Sequence, residues 1–201
     1  MEKNKNLFVV LMAGGVGVRF WPYSRNSKPK QFLDILGTGK SLIQATYDRF
    51  SAICPKENII VVTSQEHAEL TKQQLPELTS EQILAEPMRK NTAPCIAYAA
   101  WKIKSKNPDA VMIISPTDHL VLNESDFHEI MIKSFEKAQK QDCLITVGIK
   151  PTRPETGYGY IQYLESKSPL KKVKTFTEKP EISIRGSYMA GRNYTEGSID
   201  D

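Results

Sequence analysis

Between Leu11 and Phe32 the sequence reads LMAGGVGVRFWPYSRNSKPKQF. Gly14, Gly15 and Gly17 follow an apolar run. Arg19, Arg25, Lys28 and Lys30 then place four cations within twelve residues, with no acid before Asp34. Glycines let backbone N–H groups come close to an anion, and uncompensated cations attract one, so the stretch suits a phosphate-rich ligand. A tight turn beside a solvated basic face fits the same residues. Asp118 lies three residues past the apolar run Ala110–Ser115. There an isolated carboxylate can hold a hydrated Mg²⁺ or cap a turn. Glu86 ends another short apolar segment, at Glu86-Pro87. No Ser/His/Asp or Cys/His arrangement suggests nucleophile-and-base chemistry.

Two common phosphate motifs fail here. Leu36–Ser41, LGTGKS, looks like the end of a Walker A loop, but Asp34 stands where its first glycine belongs. Gly15 and Gly17 fit the first two positions of the dinucleotide fingerprint, and Phe20 occupies the third. Gly37–Lys40 is better taken as a turn, with Ser41 capping a helix.

The elements that must position these residues alternate along the chain. Leu7–Met12, Asn58–Thr63, Ile83–Glu86, Ala110–Ser115 and Cys143–Gly148 are short apolar runs of strand type. Between them, Leu42, Ile43, Thr46, Tyr47, Phe50 and Ile53 form a helical stripe. Gln65–Leu75, Thr92–Lys104 and Ser125–Lys140 are the further helices. The last of these turns Phe127, Ile130, Met131, Phe135 and Ala138 inward. Strands that are apolar throughout imply a parallel sheet covered on both faces. The fold class expected is therefore α/β, a Rossmann-like three-layer sandwich with a mostly parallel central sheet. Right-handed crossovers bring the loops Ala13–Lys30, Glu86–Thr92 and Pro116–Leu120 to one sheet edge, the edge that binds ligands in such folds. Beyond Lys150 the texture changes. Pro151, Pro154, Gly157 and Gly159 mark a loop, Ile161–Leu164 and Val173–Thr177 suit an antiparallel pair, and the chain from Glu181 is polar.

Composition narrows the function classes. The 201 residues are 40% hydrophobic and 25% charged, values of an ordinary folded domain. A net charge of +4, without basic runs interleaved with aromatics, is too small to imply a nucleic-acid partner, and none is expected. No apolar run approaches the ~20 residues needed to cross a bilayer, so no membrane partner is expected. Cys54, Cys95 and Cys143 are scattered. They are expected as buried free thiols in a reducing cytoplasm, and no zinc site is implied.

Five segments in order then carry a resemblance: GGVGVRFWPYSRNSKPKQF from Gly14, EPMRKNTAP from Glu86, PTDHL from Pro116, GIKPTRPETGYGYI from Gly148 and FTEKP from Phe176. Together they resemble the sugar-1-phosphate nucleotidylyltransferase family and, within it, the GDP-mannose pyrophosphorylase branch. The resemblance implies the nucleotide-diphospho-sugar transferase type of fold. It also implies transfer of GMP from GTP to mannose 1-phosphate with release of pyrophosphate. The attacking phosphate oxygen is already ionised at neutral pH, so alignment and charge stabilisation, not a protein base, would carry the reaction.

By resemblance, Gly14, Gly15 and Gly17 wrap the nucleotide phosphates, Arg19 holds the β- and γ-oxygens, and Lys30 reaches the α-phosphate or the sugar phosphate. Asp118 is the Mg²⁺ ligand. Glu86 accepts from guanine N1–H and N2–H₂, with Asn91 and Thr92 at base or ribose. Gly157, Glu178 and Lys179 face the sugar phosphate. On spacing alone Glu86 also fits a strand-end salt bridge, and Glu178-Lys179 a surface pair. Residues 1–180 are expected as the nucleotidyltransferase domain, incomplete in its sugar-binding part. Residues 181–201 are expected as a divergent or truncated tail, because the family's Trp-Asn-Ser-Gly segment and second metal-binding aspartate are missing. Three alternatives stay open: another nucleotide or hexose phosphate, a catalytically silent GTP-binding module, and a homodimer as the assembled form.

Overall fold

The computed structural model describes residues 3–15, 20–88, 91–150 and 158–177, and the backbone of 194–197. Two compact units result, Met1–Gln141 and Asp142–Asp201. This division follows packing, whereas the boundary at 180 follows motifs.

The first unit holds four parallel strands: β1 (Leu7–Met12), β2 (Ile59–Ser64), β3 (Ile83–Glu86) and β4 (Val111–Pro116). Their order across the sheet is β3-β2-β1-β4. Four helices accompany them: α1 (Leu42–Ser51), α2 (Ala68–Gln74), α3 (Thr92–Lys106) and α4 (Glu124–Lys140). Strand side chains alternate between faces, and β1 shows the result. Leu7, Val9 and Leu11 enter a core with Ile43, Tyr47 and Phe50 of α1 and Met131 and Phe135 of α4. Phe8 and Val10 enter a second core with Cys95, Ala99 and Ile103 of α3. Both faces are thus covered, as the continuous apolar strands implied.

Ser41 caps α1 in a capping box, its side chain accepting from the Gln44 N–H while Gln44 Oε1 accepts from the Ser41 N–H at 2.9 Å. Arg49 of α1 is buried. Its Nε donates to Glu124 Oε1 at 3.1 Å and its guanidinium lies 5.8 Å from the Phe127 ring centre, which ties α1 to α4.

The second unit contains an antiparallel sheet ordered β6-β5-β7, from β5 (Gly159–Tyr163), β6 (Val173–Thr177) and β7 (Tyr194–Gly197). The expected pairing of the two segments around Ile161 and Val173 is present, with a register shift at Gln162/Tyr163.

Three expectations need correction. Cys143–Gly148 forms no strand, because an apolar run becomes a strand only where a neighbour takes its backbone hydrogen bonds. Leu144, Val147 and Ile149 are accordingly exposed. Cys143 is exposed as well, while Cys54 and Cys95 are buried. On α4, Ile130 faces outward although Phe127, Met131 and Phe135 pack inward or partly so. Beyond these, β7 (Tyr194–Gly197) is a strand in the polar stretch after Glu181 that no apolar alternation marks.

Candidate functional site

In this strand order the chain runs from β1 to β2 to β3 on one side, then returns to place β4 on the other side of β1. The strand order thus reverses between β1 and β4, and the carboxyl ends of the strands at such a reversal are where open α/β sheets bind ligands. Lys30 and Asp118 meet there. The Lys30 ammonium is in ion-pair contact with the Asp118 carboxylate, each side chain about a quarter exposed. The Phe20 ring centre lies 6.0 Å from Lys30 Nζ.

Residues next in sequence fix that pair, on consecutive carbonyls at the end of β1. Gln31, buried, donates from Nε2 to the Ala13 carbonyl at 2.8 Å. Thr117, also buried, donates from Oγ1 to the Met12 carbonyl at 2.9 Å. Thr63 adds a third bond, from its hydroxyl to the Ala13 carbonyl at 3.1 Å. Gln31 and Thr117 were missed as site-builders. Their signal was a lone polar residue directly beside each candidate charge, which buried hydrogen bonding explains.

Gly14 and Gly15 follow at once. An added Cβ at either would meet nothing within 4 Å among the described residues, and neither has a positive φ. Among the described residues neither internal packing nor backbone strain requires glycine there, and the bare backbone leaves room for close approach of an anion. Arg25 and Lys28 sit apart on an exposed turn closed by their own backbones, at 3.2 and 2.9 Å. Gly17, Arg19, Gly157, Glu178 and Lys179 lie outside the described residues.

Glu86 ends β3 and lines an open cleft of about 620 Å³ with Ser64, Gln65, Glu66, Pro87 and Met88, a volume within the range of small-ligand sites. Burial pushes its carboxyl above the usual glutamate range. The loop after β2 is a part of the site that the motifs did not flag. Its signal was topological: β2 is parallel to β1, so its carboxyl end faces the same edge. The registers Pro116↔Met12, Met12↔Val62 and Ser64↔Glu86 carry the edge from β4 to β3. Three strand spacings amount to ~14 Å, a span that suits a nucleoside triphosphate laid across the edge.

Asn91 precedes α3 with φ 64° and ψ −170° and makes no side-chain capping bond. A non-glycine residue in this region stores strain, which tends to gather at functional sites. Thr92 is the first residue of α3 and is half-buried.

Asp118 suits Mg²⁺ as a hard oxygen donor. Among the described residues no group of three or more His, Cys, Asp or Glu could hold a metal through side chains alone. One carboxylate supplemented by ligand phosphates and water is a common way of holding this ion.

Residues 8–195 match the Nucleotidyl transferase family. The mannose-1-phosphate guanylyltransferase of Escherichia coli is 39% identical over 94% of this chain and 41% of its own length. The xanthan biosynthesis protein XanB of Xanthomonas campestris is 38% identical over 92% of this chain and 39% of its own length. The chain thus spans about two fifths of these relatives. Among solved structures, one titled a mannose-1-phosphate geranyltransferase from Thermus thermophilus superposes with a TM-score of 0.85 at 28% identity. It covers 97% of this chain and 56% of that one.

Proposed function

The chain belongs to the nucleotidyl transferase family, and from that premise we propose that it transfers GMP from GTP to mannose 1-phosphate, giving GDP-mannose and pyrophosphate. The observation that carries this proposal is the meeting of Lys30 with Asp118 at the switch point of the sheet. It occurs in a chain 39% identical to a protein named for that reaction.

GTP lies across the sheet edge with guanine in the cleft beside Glu86 and phosphates over Gly14, Gly15 and Gly17. Glu86, ionised, accepts from guanine N1–H and N2–H₂; adenine would leave this partly desolvated acceptor unpaired, at ~1–3 kcal/mol. Asn91 and Thr92 contact base or ribose. Lys30 leaves Asp118 for the α-phosphate or the incoming sugar phosphate, and Arg19 holds the β- and γ-oxygens. Asp118, relieved of Lys30, would hold Mg²⁺, which would supply charge neutralisation to the transferring group. Gly157, Glu178 and Lys179 take the sugar phosphate. The attacking oxygen needs no base, so these groups act by alignment and by stabilising developing charge.

Among the described residues no helix is long and apolar enough to cross a membrane. Burial pushes the Cys54 and Cys95 thiols up to about 12. Unreactive buried thiols of this kind suit work in a reducing cytoplasm.

Pyrophosphate release measured across nucleoside triphosphates and sugar phosphates tests the proposal. Release with GTP and mannose 1-phosphate alone is expected. Equal release with another pair would reassign the specificity. GTP binding without release would make the chain a silent binding module.

A further inference from the structure

His67 lies between the two halves of the site and belongs to neither. It ends the 3-10 turn Gln65–His67 and precedes α2, yet its side chain makes no capping bond to that helix. The ring is buried. Its Nε2 is 2.8 Å from the Asn26 carbonyl, and its Nδ1 is 2.8 Å from Ser64 Oγ. A carbonyl only accepts, so Nε2 must carry the proton. In the neutral ring Nδ1 is then the acceptor, and the Ser64 hydroxyl donates to it. The Phe32 ring packs at 5.9 Å on the imidazole. The backbone carbonyl of His67 is held separately, by Thr71 Oγ1 at 2.9 Å.

The two bonds of the ring end on different parts of the site. Ser64 lines the cleft with Glu86. Asn26 lies in the loop that runs from Phe20 to Lys30, four residues before the lysine that meets Asp118. Gln31 anchors the far end of that loop to β1. Between Phe20 and Pro29 the backbone bonds to itself, through Ser24 N–Phe20 O and the Arg25–Lys28 turn. His67 ties this part of the loop to the end of β2.

We propose that His67 is a positioning residue that holds the phosphate-binding loop in register with the base-binding cleft, through Nε2–H to the Asn26 carbonyl and Nδ1 to the Ser64 hydroxyl. The inference rests on the proposed nucleotide site. Its consequence is a split: base affinity belongs to the cleft, while the added affinity of the phosphates depends on the loop and hence on His67.

Two variants separate the bonds. Glutamine reaches the place of Nε2 and keeps a donor for Asn26, whereas asparagine reaches only the place of Nδ1 and loses it. By calorimetry, His67→Asn is expected to bind GTP about tenfold more weakly than the unaltered chain. It should bind guanosine with unchanged affinity, and His67→Gln should recover GTP binding. Equal GTP binding by the unaltered chain and His67→Asn overturns the proposal. So does a parallel loss of guanosine and GTP, which would mark a purely structural residue. Nitrogen NMR of the unaltered protein needs no variant: a ring protonated at Nε2 with slow proton exchange is expected, and a ring protonated at Nδ1 alone overturns the proposal. Absence of GTP binding by the unaltered chain would instead defeat the guanylyl-transfer proposal, and any positioning role with it. That outcome differs from the first, in which the unaltered chain does bind GTP.

Discussion

Ala13–Phe32 and Asp34–Ser41 both set glycines beside lysines, and they end in opposite states. In the second, the Asp34 carboxylate accepts from the Thr38 and Gly39 N–H groups at 3.0 and 2.7 Å. Those bonds hold its pKa below the usual aspartate range. Gly37 and Gly39 take positive φ to make the loop, and Lys40 is paired with Asp48 at 2.6 Å. This loop has its own anion. In the first, Gly14 and Gly15 need no positive φ and have open space around them among the described residues, and Lys30 is paired with the acid that the proposed metal would claim. A glycine loop is therefore defined less by its glycines than by what already fills its donors. The failed Walker A match at Asp34 has a physical sense: the residue in place of the first glycine is the anion.

Substitutions at the two loops should differ most at the lysines. Lys30→Ala is expected to lower turnover roughly 10²–10³-fold, the cost of removing a donor aimed at transition-state charge. Its melting temperature should hardly move, since a part-exposed ion pair is worth about 1 kcal/mol or less. Steady-state kinetics beside a thermal melt would check this, and a normal rate would take Lys30 out of the site.

Glu86→Gln comes next. Its expected cost is ~1–3 kcal/mol of preference for GTP over ATP, read from competitive binding. The pH dependence has a definite sign. Burial raises the Glu86 pKa, and guanine needs the ionised form. GTP affinity should therefore fall as pH drops from neutral through that raised value, above the ordinary glutamate range. Glu86→Gln should flatten the profile.

Ser41→Ala removes the cap of α1 and is expected to destabilise the first unit by ~0.5–2 kcal/mol in denaturant unfolding, with nucleotide affinity unchanged. Asp34→Asn should do least to function. Faster exchange of the Thr38 and Gly39 amides is expected, with GTP affinity retained. Because folding lowers the Asp34 pKa, its stabilising effect is present above the unfolded value and is lost as pH falls through the folded one.

Much of this contrast was legible in the sequence where patterns repeat over several residues. β1, β2 and β4 are apolar on both faces, and burial on both faces is what they show in β1 and β2. The order of elements then led to the edge where Lys30 and Asp118 meet. Single polar residues were not legible. Gln31, Thr117 and His67 look ordinary in sequence, because their roles depend on carbonyls far away along the chain, those of Ala13, Met12 and Asn26. Cys143–Gly148 misled for the complementary reason, since its apolar run lacks a strand partner in the described residues. The tail strand β7 is made by pairing with β5 rather than by its own pattern.

The contrast between the loops is tested most directly by titrating GTP into the unaltered chain, Lys30→Ala and Lys40→Ala under one buffer and salt condition. A drop in affinity of about tenfold or more for Lys30→Ala is expected, with Lys40→Ala indistinguishable from the unaltered chain. Equal losses at the two lysines, or a loss at Lys40 alone, would contradict the assignment of the phosphate site to Ala13–Phe32.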